Sequence, residues 1–112
     1  MTKIGEGNTP SEEPSLENYK KELDKSSTKF LQTLEKYNNS KSGEEQAHLR
    51  TVMDQQMALI QSSVNELKKH GFHKEASIVV KDYMDYKDEE TPANYTSLHN
   101  DIETLRDLNR SS

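Results

Sequence analysis

One long segment of the chain, residues 42–72, repeats apolar side chains at intervals of three and four residues. These apolar positions, called the α2 seam below, are Leu49, Met53, Met57, Ile60, Val64 and Leu67. The spacing puts them on one stripe of an α-helix, narrower than the stripe that a helix of a globular domain usually buries. The pattern therefore predicts a helix that pairs with another helix.

Signals for both ends of this helix flank the seam. Ser42 and Glu45 stand at the capping-box interval, which predicts the start of the helix. A basic run suits the negative end of the helix dipole, and the following Gly71 suits a left-handed C-terminal position. We expect the helix to span about 43–70 and to be roughly 40 Å long, a length that favours pairing.

Three further helices are predicted around this long one, at about 15–38, 73–90 and 92–109. Thr91 and Pro92 provide an N-cap and an N1 proline for the last of them, which repeats the seam at Tyr95, Leu98, Ile102, Leu105 and Leu108. Residues 1–14 mix glycines and prolines with acids and have little to bury, so we expect a disordered tail. No segment predicts a strand.

The third helix is the least clear of the four. Its pattern points Ala76, Val79, Val80, Tyr83 and Met84 toward a core and leaves Ile78 and Tyr86 beside the main stripe. Several acids in its C-terminal half oppose the helix dipole, so we expect this end to fray.

Composition then bounds the fold. Only 29% of the 112 residues are hydrophobic and 31% are charged, so a single copy has few large apolar residues to offset the entropy of ordering its backbone. A second copy or a partner would supply further burial. We therefore expect an all-α protein, a three- to four-helix antiparallel bundle with a long central helix, present as a homodimer.

Charge and cysteine content exclude several classes of function. The net charge is -5, and basic residues alternate with acids rather than forming the cluster that nucleic-acid binding requires. The absence of cysteine rules out disulfides and thiol chemistry. No apolar run is long enough to span a bilayer or to form a signal peptide. We expect a cytoplasmic protein without nucleic-acid or membrane partners; export into a host cell by a specialised secretion system stays open.

Candidate metal ligands are sparse. Glu45 and His48 have the Glu-x-x-His spacing of di-iron bundles, but the chain lacks the second pair that such a site needs. His70 and His73 lack a clear third ligand, and the acidic run over 82–90 contains no glycine for a calcium loop. We expect no cofactor, no metal and no catalytic residue, and so no enzyme.

Protein binding is the remaining expectation, and two groups of residues are its candidates. Ordinary core filling is the favoured interpretation of Met53 and Met57, and an adaptable docking face is the alternative. Tyr83, Asp85 and Tyr86 are expected to form an exposed aromatic and acidic cluster. The residues predicted to serve partner binding or self-association are Leu49, Met53, Met57, Ile60, Val64, Leu67, Tyr83, Tyr86, Leu98, Ile102 and Leu105.

A resemblance gives this expectation a direction. The stretch 44–72, with Gln55-Gln56, the ending Lys68-Lys69-His70-Gly71-Phe72 and flanks rich in Lys, Asn and Gln, resembles the small all-helical regulators of secreted effectors from intracellular bacterial pathogens of the Legionella type. Among these it is similar to inhibitors of the paired ubiquitin deamidase and transglutaminase effectors. The resemblance implies inhibition by covering the effector's substrate surface, and it assigns no individual residue.

Two functions follow as hypotheses. The first is a non-enzymatic regulator that inhibits or chaperones a partner protein through helical faces, the partner being a bacterial effector enzyme of the ubiquitin pathway. The alternative is a structural or assembly subunit, in which the same seams build helical oligomers.

Overall fold

The computed structural model describes residues 16–112 and shows four α-helices. They are α1 (Leu16–Asn39), α2 (Gly43–Leu67), α3 (His73–Asp88) and α4 (Pro92–Ser111), with a short 3-10 turn at Lys68–His70 after α2. This part of the chain contains no strand, so the expectation of an all-α protein is confirmed. The predicted tail over 1–14 and the first residue of the predicted first helix lie outside the described residues.

The N-terminus of α2 begins at the predicted cap. The hydroxyl of Ser42 accepts a hydrogen bond from the backbone N–H of Glu45 at 3.3 Å. The Glu45 carboxylate accepts from the hydroxyl of Ser40 at 2.7 Å rather than from the Ser42 backbone. Half of the capping box is therefore present, and the other half is replaced by a side-chain bond.

The C-terminus of α2 differs from the prediction. The α-helix ends at Leu67, and the residues with positive φ are Lys68 at 55° and Phe72 at 53°; of these, only Phe72 has the left-handed helical conformation. Gly71 has φ -94°, so its predicted left-handed conformation is wrong. A glycine is required there for another reason: a Cβ on Gly71 would lie 2.4 Å from the carbonyl oxygen of Val64.

The start of α4 follows the sequence signal. The hydroxyl of Thr91 accepts from the N–H of Asn94 at 3.1 Å, and Pro92 occupies the first turn, where its missing N–H leaves no bond unmade. The Asn94 side chain also donates to the carbonyl oxygen of Glu89 at 2.9 Å, which fixes the connection from α3.

Contacts between the helices show their relative directions. Near its start, α1 presents Asp24 to Arg110 at the end of α4, with N–O distances of 2.7 and 3.0 Å. Near its end, α1 presents Glu35 to His99 at the start of α4, at 3.0 Å. The two helices therefore run in opposite directions. Most of the remaining packing joins α1 to α2 and α3 to α4, and α2 meets α3 less extensively.

One continuous apolar core lies between the four helices. Its buried members are Leu23, Phe30, Leu31, Leu34, Tyr37, Leu49, Met53, Met57, Ile60, Val64, Leu67, Ala76, Val79, Tyr83, Tyr86, Leu98, Ile102 and Leu105. Ser26, Ser27, Thr33 and Ser63 are buried with them on α1 and α2. Small hydroxylated side chains let two helices approach closely, so they extend the packing beyond the narrow apolar stripes.

The inward face of α3 is rotated from the predicted one. Met84, expected in the core, is 62% exposed, and Tyr86, expected beside the stripe, is buried. The Tyr86 ring lies 6.2 Å from the rings of both Tyr37 and Tyr95. This aromatic group selects the face that includes Tyr86 over the one that includes Met84.

None of the helices in residues 16–112 combines the length and the apolar character that crossing a membrane requires.

Candidate functional site

The residues predicted to bind a partner all lie inside the chain. On α2 these are Leu49, Met53, Met57, Ile60, Val64 and Leu67, on α3 Tyr83 and Tyr86, and on α4 Leu98, Ile102 and Leu105; each is less than a tenth exposed. The structure thus brings all of them together as members of one core. A partner could reach them only if the helices separated, so their role in partner binding stays a prediction.

The predicted exposed aromatic and acidic cluster does not form. Tyr83 and Tyr86 are buried, and Asp85 is half-buried. The Tyr83 ring packs edge-on against Phe30 at 5.2 Å. The helix turns these tyrosines inward because their rings fill the space beside α1.

A first polar contact joins α3 to α2 at the rim of this core. The Tyr83 hydroxyl donates to the carboxylate of Asp54, which also accepts from Lys87 at 3.1 Å. Burial, with the neighbouring carboxylate, raises the pKa of Tyr83 above its usual range. Burial alone would raise the pKa of Asp54, but the bonds from Tyr83 and Lys87 outweigh it and lower that pKa. Tyr83 therefore stays protonated and Asp54 charged, which maintains the contact.

A second polar contact lies just beyond the end of α3, one turn nearer the start of α2 than Asp54. Arg50 on α2 donates to Glu90 at 3.0 Å, and both bond to the hydroxyl of Tyr37 on α1. The Arg50 guanidinium also lies over the Tyr37 ring, 5.4 Å from its centroid. These bonds hold Glu90 against α1 and α2, while α3 itself ends at Asp88, before the predicted residue 90. The expected fraying of this helix end stays a prediction.

The acidic run contains one unusual carboxyl, Asp82, which faces α4. Burial, then hydrogen bonding and repulsion from Asp101, raises the pKa of Asp82 to about 7. Its Oδ2 atom is buried without a hydrogen-bond partner. Asp82 on α3 and Asp101 on α4 therefore form a contact whose strength depends on the protonation of Asp82.

The candidate metal ligands do not converge. Glu45 and His48 are exposed near the start of α2, and the ring Nε2–H of His73 donates to the carbonyl oxygen of Lys68 while His70 stays exposed. Within residues 16–112 there is no group of three or more His, Asp or Glu side chains that could hold a metal ion.

The solvent side of α2 has a feature that the search for apolar stripes missed. Over residues 55–65 the helix carries no charged residue, although 31% of the chain is charged. We call its exposed residues the uncharged face; they are Gln55, Ala58, Leu59, Gln61, Ser62 and Asn65. Leu59 is 40% exposed. The signal was present in the sequence as an absence of charge rather than as a periodic apolar pattern.

A shallow groove borders this face between α2 and α3. It encloses about 330 Å³, with Val64, Ala76 and Val80 as its apolar lining and Gln61 and Asn65 on its α2 side. The uncharged surface therefore continues from the solvent side of α2 into an apolar recess.

Comparison with known proteins adds no assignment. No model of a protein family matches the chain, and neither the curated proteins nor the solved structures include a protein that matches it.

Proposed function

We propose that this chain is a non-enzymatic protein-binding regulator, which inhibits or chaperones a partner protein through exposed helical faces. In this proposal the four helices form an antiparallel bundle that dimerises. The partner is a bacterial effector enzyme of the ubiquitin pathway, as the sequence resemblance implies.

The use of the polar side chains is the observation that carries the proposal. Asp54, Tyr83 and Lys87 bind one another between helices, and Arg50 and Glu90 do the same. A catalytic site instead directs such groups toward a space that a substrate can enter. Here they fix one helix to the next, so the structure supports a rigid scaffold whose outer faces carry the function.

The opposed directions of the helices support the bundle. Glu90, just after α3, pairs with Arg50 near the start of α2, and the two polar contacts of α1 with α4, Asp24 with Arg110 and Glu35 with His99, lie at opposite ends of those helices. An up-and-down arrangement with short connections produces these contacts.

The charge distribution supports a protein partner with a basic surface. Glu44 and Glu45 at the start of α2 and Asp88 and Glu89 at the end of α3 are exposed at the same end of the molecule. These acids give this end of the molecule a negative electrostatic potential, which speeds the approach of a positively charged partner. An inhibitor with this end can compete for a basic, substrate-binding surface of an enzyme.

The proposal is tested by capture and then by inhibition. The full chain serves as bait in a lysate of its native organism, beside the charge-reversed bait Asp88→Lys/Glu89→Lys. We expect one protein to be recovered in stoichiometric amount by the first bait and less by the second. Added chain should then reduce the captured enzyme's activity on ubiquitin in proportion to the complex formed.

Two results would contradict the proposal. If the chain recovers no protein in greater amount than an unrelated acidic bait does, the proposed partner does not exist. If the purified chain has enzymatic activity of its own, the non-enzymatic role is wrong. Masses that grow without limit as concentration rises would instead favour the assembly subunit.

A further inference from the structure

The exposed surface of α2 differs from that of α1. At its exposed positions α1 carries Lys21, Lys25, Lys29 and Lys36, whereas the uncharged face of α2 presents amides, small side chains and one leucine over three turns. Exposed helix surface in a chain of this composition is expected to be charged. A face without charge needs a reason, and contact with another protein is one, because the centres of protein interfaces are depleted of charged residues.

The charge on either side of this face indicates which protein makes the contact. Glu44 and Glu45 precede it on α2, and Lys68 and Lys69 follow it, all four exposed. Two exposed acids adjoin the face itself: Asp54 before it, which is bound by Lys87, and Glu66 after it. The exposed surface therefore runs from two acids at the start of α2, through the neutral face, to Glu66 and then to two lysines in the turn after the helix.

This order is complementary to itself. When two copies of α2 lie antiparallel about a two-fold axis, the basic end of each copy meets the acidic end of the other, and the neutral centres meet each other. A parallel arrangement would place like charges together at both ends. Because the chain has a net charge of -5, two copies repel each other unless the contact avoids acid against acid.

The side chains at the centre suit such a contact. Ala58 and Ser62 are small and one turn apart, so the backbones of two helices can approach closely there. A two-fold axis near Ala58 sets Leu59, which is 40% exposed, beside its own copy. Gln55 of one copy then faces Gln61 of the other, three residues to either side of Ala58, and both amides can donate and accept hydrogen bonds.

We propose that the uncharged face of α2 is the interface of an antiparallel homodimer, with Ala58 near the two-fold axis. This inference rests on the dimer in the proposed function and adds its location. The contact uses the acidic start of α2 and leaves Asp88 and Glu89, at the end of α3, accessible to a partner. It also moves self-association from the buried α2 seam to the opposite side of the same helix.

Sedimentation equilibrium over a range of concentrations tests the interface with two matched variants. Ala58→Glu sets a charge beside its own copy at the axis and should raise the dissociation constant of the dimer by about 100-fold, because like charges brought together at an interface repel each other. Ala93→Glu makes the same substitution at an exposed position of α4, away from α2, and should leave the constant within about twofold. Circular dichroism should show unchanged folding for both, because both sites are exposed.

Two results would overturn the inference in distinguishable ways. If the wild-type chain stays monomeric at every concentration, both the interface and the dimer are wrong. The regulator role is then still tested separately, by capture and inhibition. A wild-type dimer that Ala58→Glu weakens no more than Ala93→Glu does would keep the dimer and place its interface elsewhere.

Discussion

Asp82 should make the stability of this protein depend on pH in a way that one substitution removes. It lies half-buried on α3 toward α4, where burial and Asp101 raise its pKa from the ordinary value of 3.8 to about 7. Asp85 adds further repulsion, and Lys81 offsets part of it. The folded chain therefore holds this proton more tightly than the unfolded chain.

The sign and size of this pH dependence follow from the linkage between proton binding and folding. A carboxyl with a raised folded-state pKa contributes stability that is fully present below its unfolded pKa and is lost as the pH rises through its folded pKa. For Asp82 this stability is lost between pH 3.8 and about pH 7. The full shift of this pKa would correspond to a loss of about 4 kcal/mol in the free energy of unfolding. Solvent reaches the half-buried carboxyl and screens it, so we expect a loss of about 1–2 kcal/mol.

Urea unfolding of the wild-type chain and of Asp82→Asn at several pH values measures this contribution. The variant should match the wild type near pH 4.5 and exceed its free energy of unfolding by about 1–2 kcal/mol near pH 8. Asp88→Asn removes the same charge from an exposed position on α3, and its effect should not vary across this range. A difference between Asp82→Asn and the wild type that stays constant with pH would refute the assigned origin of the shift.

Three further predictions concern stability, and urea or thermal unfolding checks each. Ile60→Ala should cost about 2–5 kcal/mol because the side chain is 0% exposed, whereas Ile78→Ala, at 42% exposure, should cost about 0.5 kcal/mol or less; equal losses would contradict the assigned core. Gly71→Ala should cost about 1–3 kcal/mol because its Cβ would strike a carbonyl oxygen, whereas Gly43→Ala meets open space and should be neutral or better. Thr91→Ala should lose about 1 kcal/mol with the cap of α4, and an unchanged melting temperature would show that this cap is dispensable.

The sequence predicted the elements that local patterns determine. The periodic spacing of the α2 seam needs only a 3.6-residue repeat and one apolar side, and every seam residue is buried. Ser42 and Thr91 cap their helices because a hydroxyl at that position reaches a free N–H two or three residues on, whatever the rest of the chain does.

Features that depend on a neighbouring helix were not predictable in the same way. On α3, a stripe through Val80 and Met84 and a stripe through Val79 and Tyr86 both fit a helical repeat. The choice between them depends on the rings of α1 and α4, which the sequence of α3 does not contain. Gly71 is a second case: its chain neighbours suggested a left-handed turn, and its actual constraint is the approach of Val64 from the preceding helix.

Narrow seams did not predict how many helices each helix would contact. The spacing of the α2 seam was interpreted as typical of one partner helix, and the missing burial was assigned to a second copy. Within one copy, however, Ser26 and Ser63 are buried beside the apolar stripes, and Thr33 satisfies its hydroxyl on the carbonyl oxygen of Lys29 at 2.8 Å. Small polar side chains that bond to their own helix can line a close helix contact at little cost, since their hydrogen bonds are already made. The apolar stripe is therefore narrower than the face that such a helix buries. An argument for dimerisation has to rest on surface that stays exposed in one copy, such as the uncharged face of α2.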